Sequence, residues 1–132
     1  MALGKKASAP SHLKQFRTYS FAKCLGITNR GVHLPDNISD EHSAATLFKG
    51  MTVEYLLNRC YNIKSNEKVL FLGSGGGVGA LAGQWGKSKG AFMIGVDGGE
   101  DKCGLARQNG YAEVIDFTKE DVVARVKDIT DG

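Results

Sequence analysis

The most constraining feature of this chain is a cluster of glycines set between a short apolar run and a helical stretch. Lys68-Val69-Leu70-Phe71-Leu72 reads as a buried strand, and Gly73-Ser74-Gly75-Gly76-Gly77-Val78-Gly79 follows it directly. A helix-like segment then extends to Lys89, with Val78, Leu81, Ala82 and Trp85 on one side and Gly90 as its stop. Phe92-Met93-Ile94-Gly95-Val96 forms a second apolar run, 100–109 a second helical segment ended by Gly110, and Glu113-Val114-Ile115-Asp116-Phe117 a third strand. Thr118 is expected to cap a last helix in which Val122, Val123, Val126 and Ile129 share a face, with Asp121 as a capping-box variant. Apolar strands that alternate with helices imply a parallel sheet covered on both faces. The expected fold class is α/β: a Rossmann-type parallel sheet of which only the first half, three strands, is present.

The glycine turn carries the chemistry. In a dinucleotide-binding turn one glycine permits the tight bend, a second lets the backbone approach the pyrophosphate, and a third lets the helix pack on the sheet. Gly76 and Gly79 fit the second and third roles, and Ser74 stands in the usual first slot. Phosphates would rest on the exposed amides at the helix start, where the dipole favours negative charge. No Gly-Lys-Ser/Thr ending follows, which argues against a P-loop. Asp97 ends the second strand, 18 residues beyond Gly79, where an acid can accept hydrogen bonds from the adenosine ribose and repel a 2′-phosphate. The lesser alternative is a turn or helix-entry residue. Gly98 and Gly99 keep the backbone open beside it, and Lys102 is either a phosphate contact or a solvated side chain.

Ahead of this unit, Pro35-Asp36-Asn37 reads as a turn and Ser39 as the cap of a helix running to about Cys60. Ala44, Leu47, Phe48, Met51 and Tyr55 recur along it at helical spacing, and Gly50 is a point where it could break. The first 35 residues hold six bases and no acid, whereas the rest hold eleven bases and fourteen acids. Such a start suits a solvated tail, a mitochondrial presequence or, less readily, a nucleic-acid arm. No apolar run approaches the roughly 20 residues a membrane span needs. Cys24, Cys60 and Cys103 are scattered, with no Cys/His cluster for structural zinc; they suit a reducing compartment, as small buried residues. His12, His33 and His42 are isolated and read as surface residues.

With these residues in view, a resemblance emerges. Leu34-Pro35, Ile38-Ser39, Ala44-Ala45, Leu47-Phe48-Lys49-Gly50-Met51-Thr52 and Tyr55-Leu56-Leu57 resemble the zinc-free quinone oxidoreductases, the zeta-crystallin-like branch of the medium-chain dehydrogenases. So do Gly76-Gly77-Val78-Gly79, Gln84-Trp85, Ile94-Gly95, Lys102 and Val123-Ala124-Arg125-Val126-Lys127-Asp128-Ile129-Thr130. The resemblance covers about 19–132. It implies an NADPH-dependent oxidoreductase that reduces quinones or related electrophilic carbonyls, cytoplasmic and homo-oligomeric. It also implies a Rossmann domain paired with a GroES-like catalytic domain, so that this chain is a fragment. The expected organisation is a basic disordered tail at 1–18, a remnant of the catalytic-domain end at 19–38, and the nucleotide-binding domain at 39–132.

By the same resemblance, Thr52 and Tyr55 approach the nicotinamide side of the cofactor, although spacing alone would make them helix-packing residues. Gly77 and Val78 touch the pyrophosphate, and Gly98 and Lys102 flank the 2′-phosphate. The sequence departs from the family at Asp97, usually uncharged, and at Phe117, often a tyrosine whose hydroxyl helps hold the 2′-phosphate. Both departures weaken NADPH relative to NADH. Gly73 replaces a usual alanine. Gly83, Gly86 and Gly104 fall within expected helices, each at about 1 kcal/mol relative to alanine. No catalytic residue is identifiable, and a nucleotide-binding module without turnover, or a non-enzymatic assembly piece, is the alternative reading.

Overall fold

A computed structural model describes residues 35–132. The expectations for 1–18 and 19–34, with Cys24, His12 and His33, lie outside the described residues. The described residues fall into two units, 35–47 and 48–132.

Helix α1, Asp40–Glu54, begins as the sequence indicates. The Ser39 hydroxyl accepts the His42 amide at 3.2 Å, satisfying one of the donors left free in a first turn. Gly50 does not break the helix. The irregularity falls later, at Tyr55–Cys60, which form a π-helical turn. There the Tyr61 amide reaches back five residues to the Leu56 carbonyl at 3.2 Å. The buried residues of this segment are Val53 and Leu57. Phe48, Met51 and Tyr55, which spacing puts on an apolar stripe, are instead exposed.

Three parallel strands follow in the order β1-β2-β3: β1 is Lys68–Leu72, β2 is Phe92–Asp97 and β3 is Glu113–Asp116. Register pairs Leu72 with Val96 and Asp97 with Asp116, so the three strands finish together. The connecting helices are α2, Gly77–Ser88, and α3, Glu100–Gln108; α4, Val122–Thr130, follows β3. Gly90 and Gly110 close α2 and α3 as expected, in left-handed conformations.

One face of the sheet presents Val69, Phe71 and Met93 to α2, α3 and the end of α1. Val53, Leu57, Ile63 and Ala82 form a buried cluster there, and Met93, Ala106 and Tyr111 form another. The opposite face presents Ile94, Val96 and Ile115 to α4, which packs on them through Val122, Val126 and Ile129. Val123, expected on that face, is exposed. With 3.6 residues per turn, Val123 stands about 100° round the helix from Val122, outside the face that Val122, Val126 and Ile129 share. The cap is Asp121, whose carboxylate accepts the Ala124 amide at 2.7 Å; Thr118 is bonded to Asp116 instead. On β1, Leu70 and Leu72 are 43% and 70% exposed: the apolar side chains of α4 pack on β2 and β3, and its end meets β1 through Lys68, whose ammonium donates to the Ile129 carbonyl at 2.9 Å.

The helix glycines are explained by close approach. A Cβ on Gly83 would lie 2.5 Å from the Asn109 carbonyl oxygen, and one on Gly86 would meet the thioether of Met93. Side chains there would hold α2 off the sheet. Gly104 has open space around it, and nothing in the structure explains its choice.

Candidate nucleotide site

The carboxyl ends of the strands converge on the glycine turn, the position where ligands of open α/β sheets are held. The turn is built from its backbone. The amides of Gly73 and Ser74 both donate to the Val96 carbonyl, at 2.9 and 3.2 Å, fastening the bend to β2. Gly73 has φ +78, a conformation that a Cβ penalises. The glycine that replaces a usual alanine therefore suits the bend it occupies. A Cβ on Gly79 would strike the carbonyls of Gly73 and Ser74, so α2 approaches the turn only because that position is bare. The buried Tyr111 hydroxyl donates to the Gly79 carbonyl at 2.8 Å and steadies the first turn of α2. Burial pushes that phenol well above its ordinary range, with the Asp97 charge adding to the effect.

Gly76 caps α2 in an extended conformation. The amides of Gly77, Val78 and Gly79 then donate to no acceptor among the described residues. These orphan donors at the positive end of a helix dipole suit an anion. Ser74, in the usual first-glycine slot, is fully buried beneath the turn, and its hydroxyl has no partner among the described residues.

Asp97 is nine-tenths buried. One carboxylate oxygen accepts the Gly75 amide at 2.8 Å and the other the Gly98 amide at 2.9 Å, with the Lys102 ammonium 3.7 Å away. This side chain thus ties the glycine turn to the end of β2, a role that spacing did not reveal. Each oxygen keeps a second acceptor direction. Lys102 itself is largely exposed, and its backbone lies against the turn: a Cβ on Gly75 would sit 2.5 Å from the Lys102 carbonyl oxygen. Gly98, Gly99, Glu100, Asp101 and Lys102 line an open depression of about 330 Å³. The Phe117 ring closes over Gly98, where a Cβ would come within 2.6 Å of the ring carbon Cζ.

A second carboxylate, missed in the sequence, organises the other side of the depression. Asp116 accepts the Gly99 amide at 3.1 Å and both the amide and the hydroxyl of Thr118, at 3.0 and 2.6 Å. The Thr118 hydroxyl and these amides hold its carboxyl down to about 2. Lys119 bridges Asp116 and Glu100, at 3.6 and 3.0 Å. Its ammonium, followed by Arg107, lowers the Glu100 carboxyl. The signal was available in principle as Asp-x-Thr after a strand, a pattern in which a short acid folds back onto the next amides.

Thr52 and Tyr55 lie near the end of α1 and at the start of the π-helical turn. The Thr52 hydroxyl donates to the Phe48 carbonyl at 3.0 Å, within its own helix. Tyr55 is exposed, and a hydrogen bond with Cys60 raises its phenol above the ordinary value. Cys103 is buried as expected, but Cys60 is exposed, because the π-helical turn puts Leu57 rather than Cys60 into the core. Lys49, one turn before Thr52, lies across Gly77. A Cβ there would be 2.8 Å from its Cε and 3.1 Å from its Nζ.

Strand, glycine turn and helix, with an acid at the end of the second strand, define a Rossmann-type nucleotide fold. Residues 77–132 match the zinc-binding dehydrogenase family. The chain is 46% identical to the quinone oxidoreductase of Pseudomonas aeruginosa over 101 residues, 76% of this chain and 31% of that protein. Among solved structures, Escherichia coli quinone oxidoreductase in complex with NADPH superposes with a TM-score of 0.77 at 44% identity, over 80% of this chain and 32% of that one. The quinone oxidoreductase of Pseudomonas syringae gives 0.75 at 46% identity, over 76% and 31%. Over the stretch it spans, this chain is similar to quinone oxidoreductases of the medium-chain dehydrogenase/reductase family. It spans about a third of the length of the curated relatives it matches. Among the described residues no three His, Cys, Asp or Glu side chains are grouped to hold a metal ion. No helix among them is long and apolar enough to cross a membrane.

Proposed function

We propose that residues 39–132 are the nucleotide-binding part of an NAD(P)H-dependent oxidoreductase that reduces quinones or related electrophilic carbonyls. The observation that carries this reading is the glycine turn with its three free amides at the start of α2. A dinucleotide fits these features. Gly76, Gly77, Val78 and Gly79 offer amides and bare backbone to a pyrophosphate. Gly98 and Lys102 border the depression that would take the adenosine end, and Thr52 and Tyr55 would face the nicotinamide. The bound cofactor supplies the hydride; the chain binds and orients it. In this reading the protein is cytoplasmic and works as a homo-oligomer.

The adenosine end favours NADH over NADPH. Asp97 and Asp101 bring two carboxylates to the depression beside Gly98 and Gly99, Glu100 being paired with Lys119 and Arg107, and Lys102, the cation expected to offset them, is drawn towards Asp97. Phe117 offers no hydroxyl to a 2′-phosphate. Fluorescence titration of the purified chain with NADH and NADPH is expected to show tighter NADH binding. Asp97→Asn keeps an acceptor oxygen for the turn but removes the charge, and should narrow or reverse the preference by about tenfold, the effect of 1.4 kcal/mol. Binding of neither nucleotide by a folded sample would end the proposal. Stimulation of NAD(P)H oxidation by an added quinone then separates turnover from binding alone.

A further inference from the structure

Lys49 belongs to none of the networks that hold the fold together, yet it occupies a defined place. It stands on α1, and its aliphatic stem and ammonium lie over Gly77, the first residue of α2. A side chain at Gly77 would displace it: a Cβ there would be 2.8 Å from Cε and 3.1 Å from both Cδ and Nζ. Lys49 forms no hydrogen bond or ion pair among the described residues. Its ammonium therefore sits beside Gly77, at the positive end of a helix dipole whose first three amides are unbonded, and makes no ion pair with an acid among the described residues. Alone, that arrangement is repulsive, because cations are favoured at the opposite end of a helix. It becomes attractive when an anion is held between the ammonium and the amides, since charge-assisted hydrogen bonds from both sides then converge on it.

We propose that Lys49 is the cation of the pyrophosphate site, closing over the cofactor's two phosphates from α1 while the amides of Gly77, Val78 and Gly79 hold them from α2. This rests on the nucleotide-binding reading and adds to it a residue on a different element, reached across Gly77. Recognition is of the diphosphate, which NADH, NADPH and ADP share, and is indifferent to the 2′ position. Lys49 therefore contributes affinity, while Asp97 and the depression beside it contribute preference between the two cofactors.

The test is a titration of the full chain and its Lys49→Gln and Lys49→Arg variants with NADH, and with ADP as competitor, at low and high salt. Wild-type binding of NADH is established first; if it is absent, the nucleotide reading itself has failed. Given binding, Lys49→Gln is expected to weaken NADH and ADP alike by about tenfold or more, the usual loss for a hydrogen bond to a charged group. It should also flatten the salt dependence of binding, because a screened charge pair has been removed. Lys49→Arg should restore most of the affinity and the salt dependence. Unchanged NADH and ADP affinity in Lys49→Gln, or a loss that Arg does not rescue and salt does not modulate, would overturn the assignment while leaving the nucleotide site standing.

Discussion

At the scale of single residues, the carboxylates at the strand ends do two kinds of work. Asp97 and Asp116 are both buried acids that fasten the loops above the sheet: Asp97 accepts backbone amides on both oxygens, whereas Asp116 accepts on Oδ1 alone, with the Lys119 ammonium 3.6 Å from its Oδ2. Asp116 is held at about 2, first by the Thr118 hydroxyl and then by the amides of Gly99 and Thr118. A carboxyl lowered in the folded state stabilises fully above its ordinary value of 3.8, and that contribution is lost as pH falls through about 2. Thr118→Val removes the largest cause. We expect the Asp116 carboxyl to titrate nearer 3.8 in that variant, with acid unfolding beginning at higher pH. A carbon-detected NMR titration of the side chain reads this directly, and an unmoved midpoint would exclude the hydroxyl as the main cause. The identity of Asp97 was legible in the sequence from its distance to the glycine turn. Its grip on the Gly75 amide was not, because that contact joins residues 22 apart through the crossover.

At the scale of elements, helix α2 shows how packing overrides propensity. Gly83 and Gly86 each weaken the helix by about 1 kcal/mol relative to alanine. They persist because the helix lies so close to Tyr111 and Met93 that a methyl has no room. Gly104 in α3 has the same intrinsic penalty and open space. The two helices therefore give opposite expectations. Gly86→Ala should destabilise by about 1–3 kcal/mol through overpacking against Met93. Gly104→Ala should stabilise by up to about 1 kcal/mol. Urea denaturation of both variants decides the matter: stabilisation in both would show that close approach is not what keeps Gly86. The end of α1 follows the same logic. Spacing alone selected Phe48, Met51 and Tyr55 as its apolar stripe, but the π-helical turn at Tyr55–Cys60 brings Leu57 into the core beside Val53. No periodicity in the sequence marks a change of helical pitch.

At the scale of the whole molecule, the sheet is unevenly covered. Helices lie over one face of all three strands, whereas on the other face α4 covers β2 and β3 but leaves Leu70 and Leu72 of β1 exposed. Among the described residues β1 also pairs on one side alone. A sheet edge with free amides, carbonyls and exposed leucines is a template for association with another chain. The purified chain should therefore self-associate as its concentration rises, and Leu72→Lys should shift sedimentation velocity profiles towards the monomer. Profiles of the variant that match those of the wild type would remove β1 as the associating surface.

The sequence by itself determined the alternation of strand and helix, the parallel sheet and the glycine turn, because apolar runs, glycine stops and caps act over a few neighbouring residues. It also located Asp97, Gly98 and Lys102 at the end of the second strand. Only the tertiary structure decided which carboxylates fasten the loops, why Gly83 and Gly86 lack side chains, where α4 begins, and that Lys49 reaches Gly77. Each of those depends on atoms brought together across crossovers or between elements, where distance along the chain carries no information about distance in space.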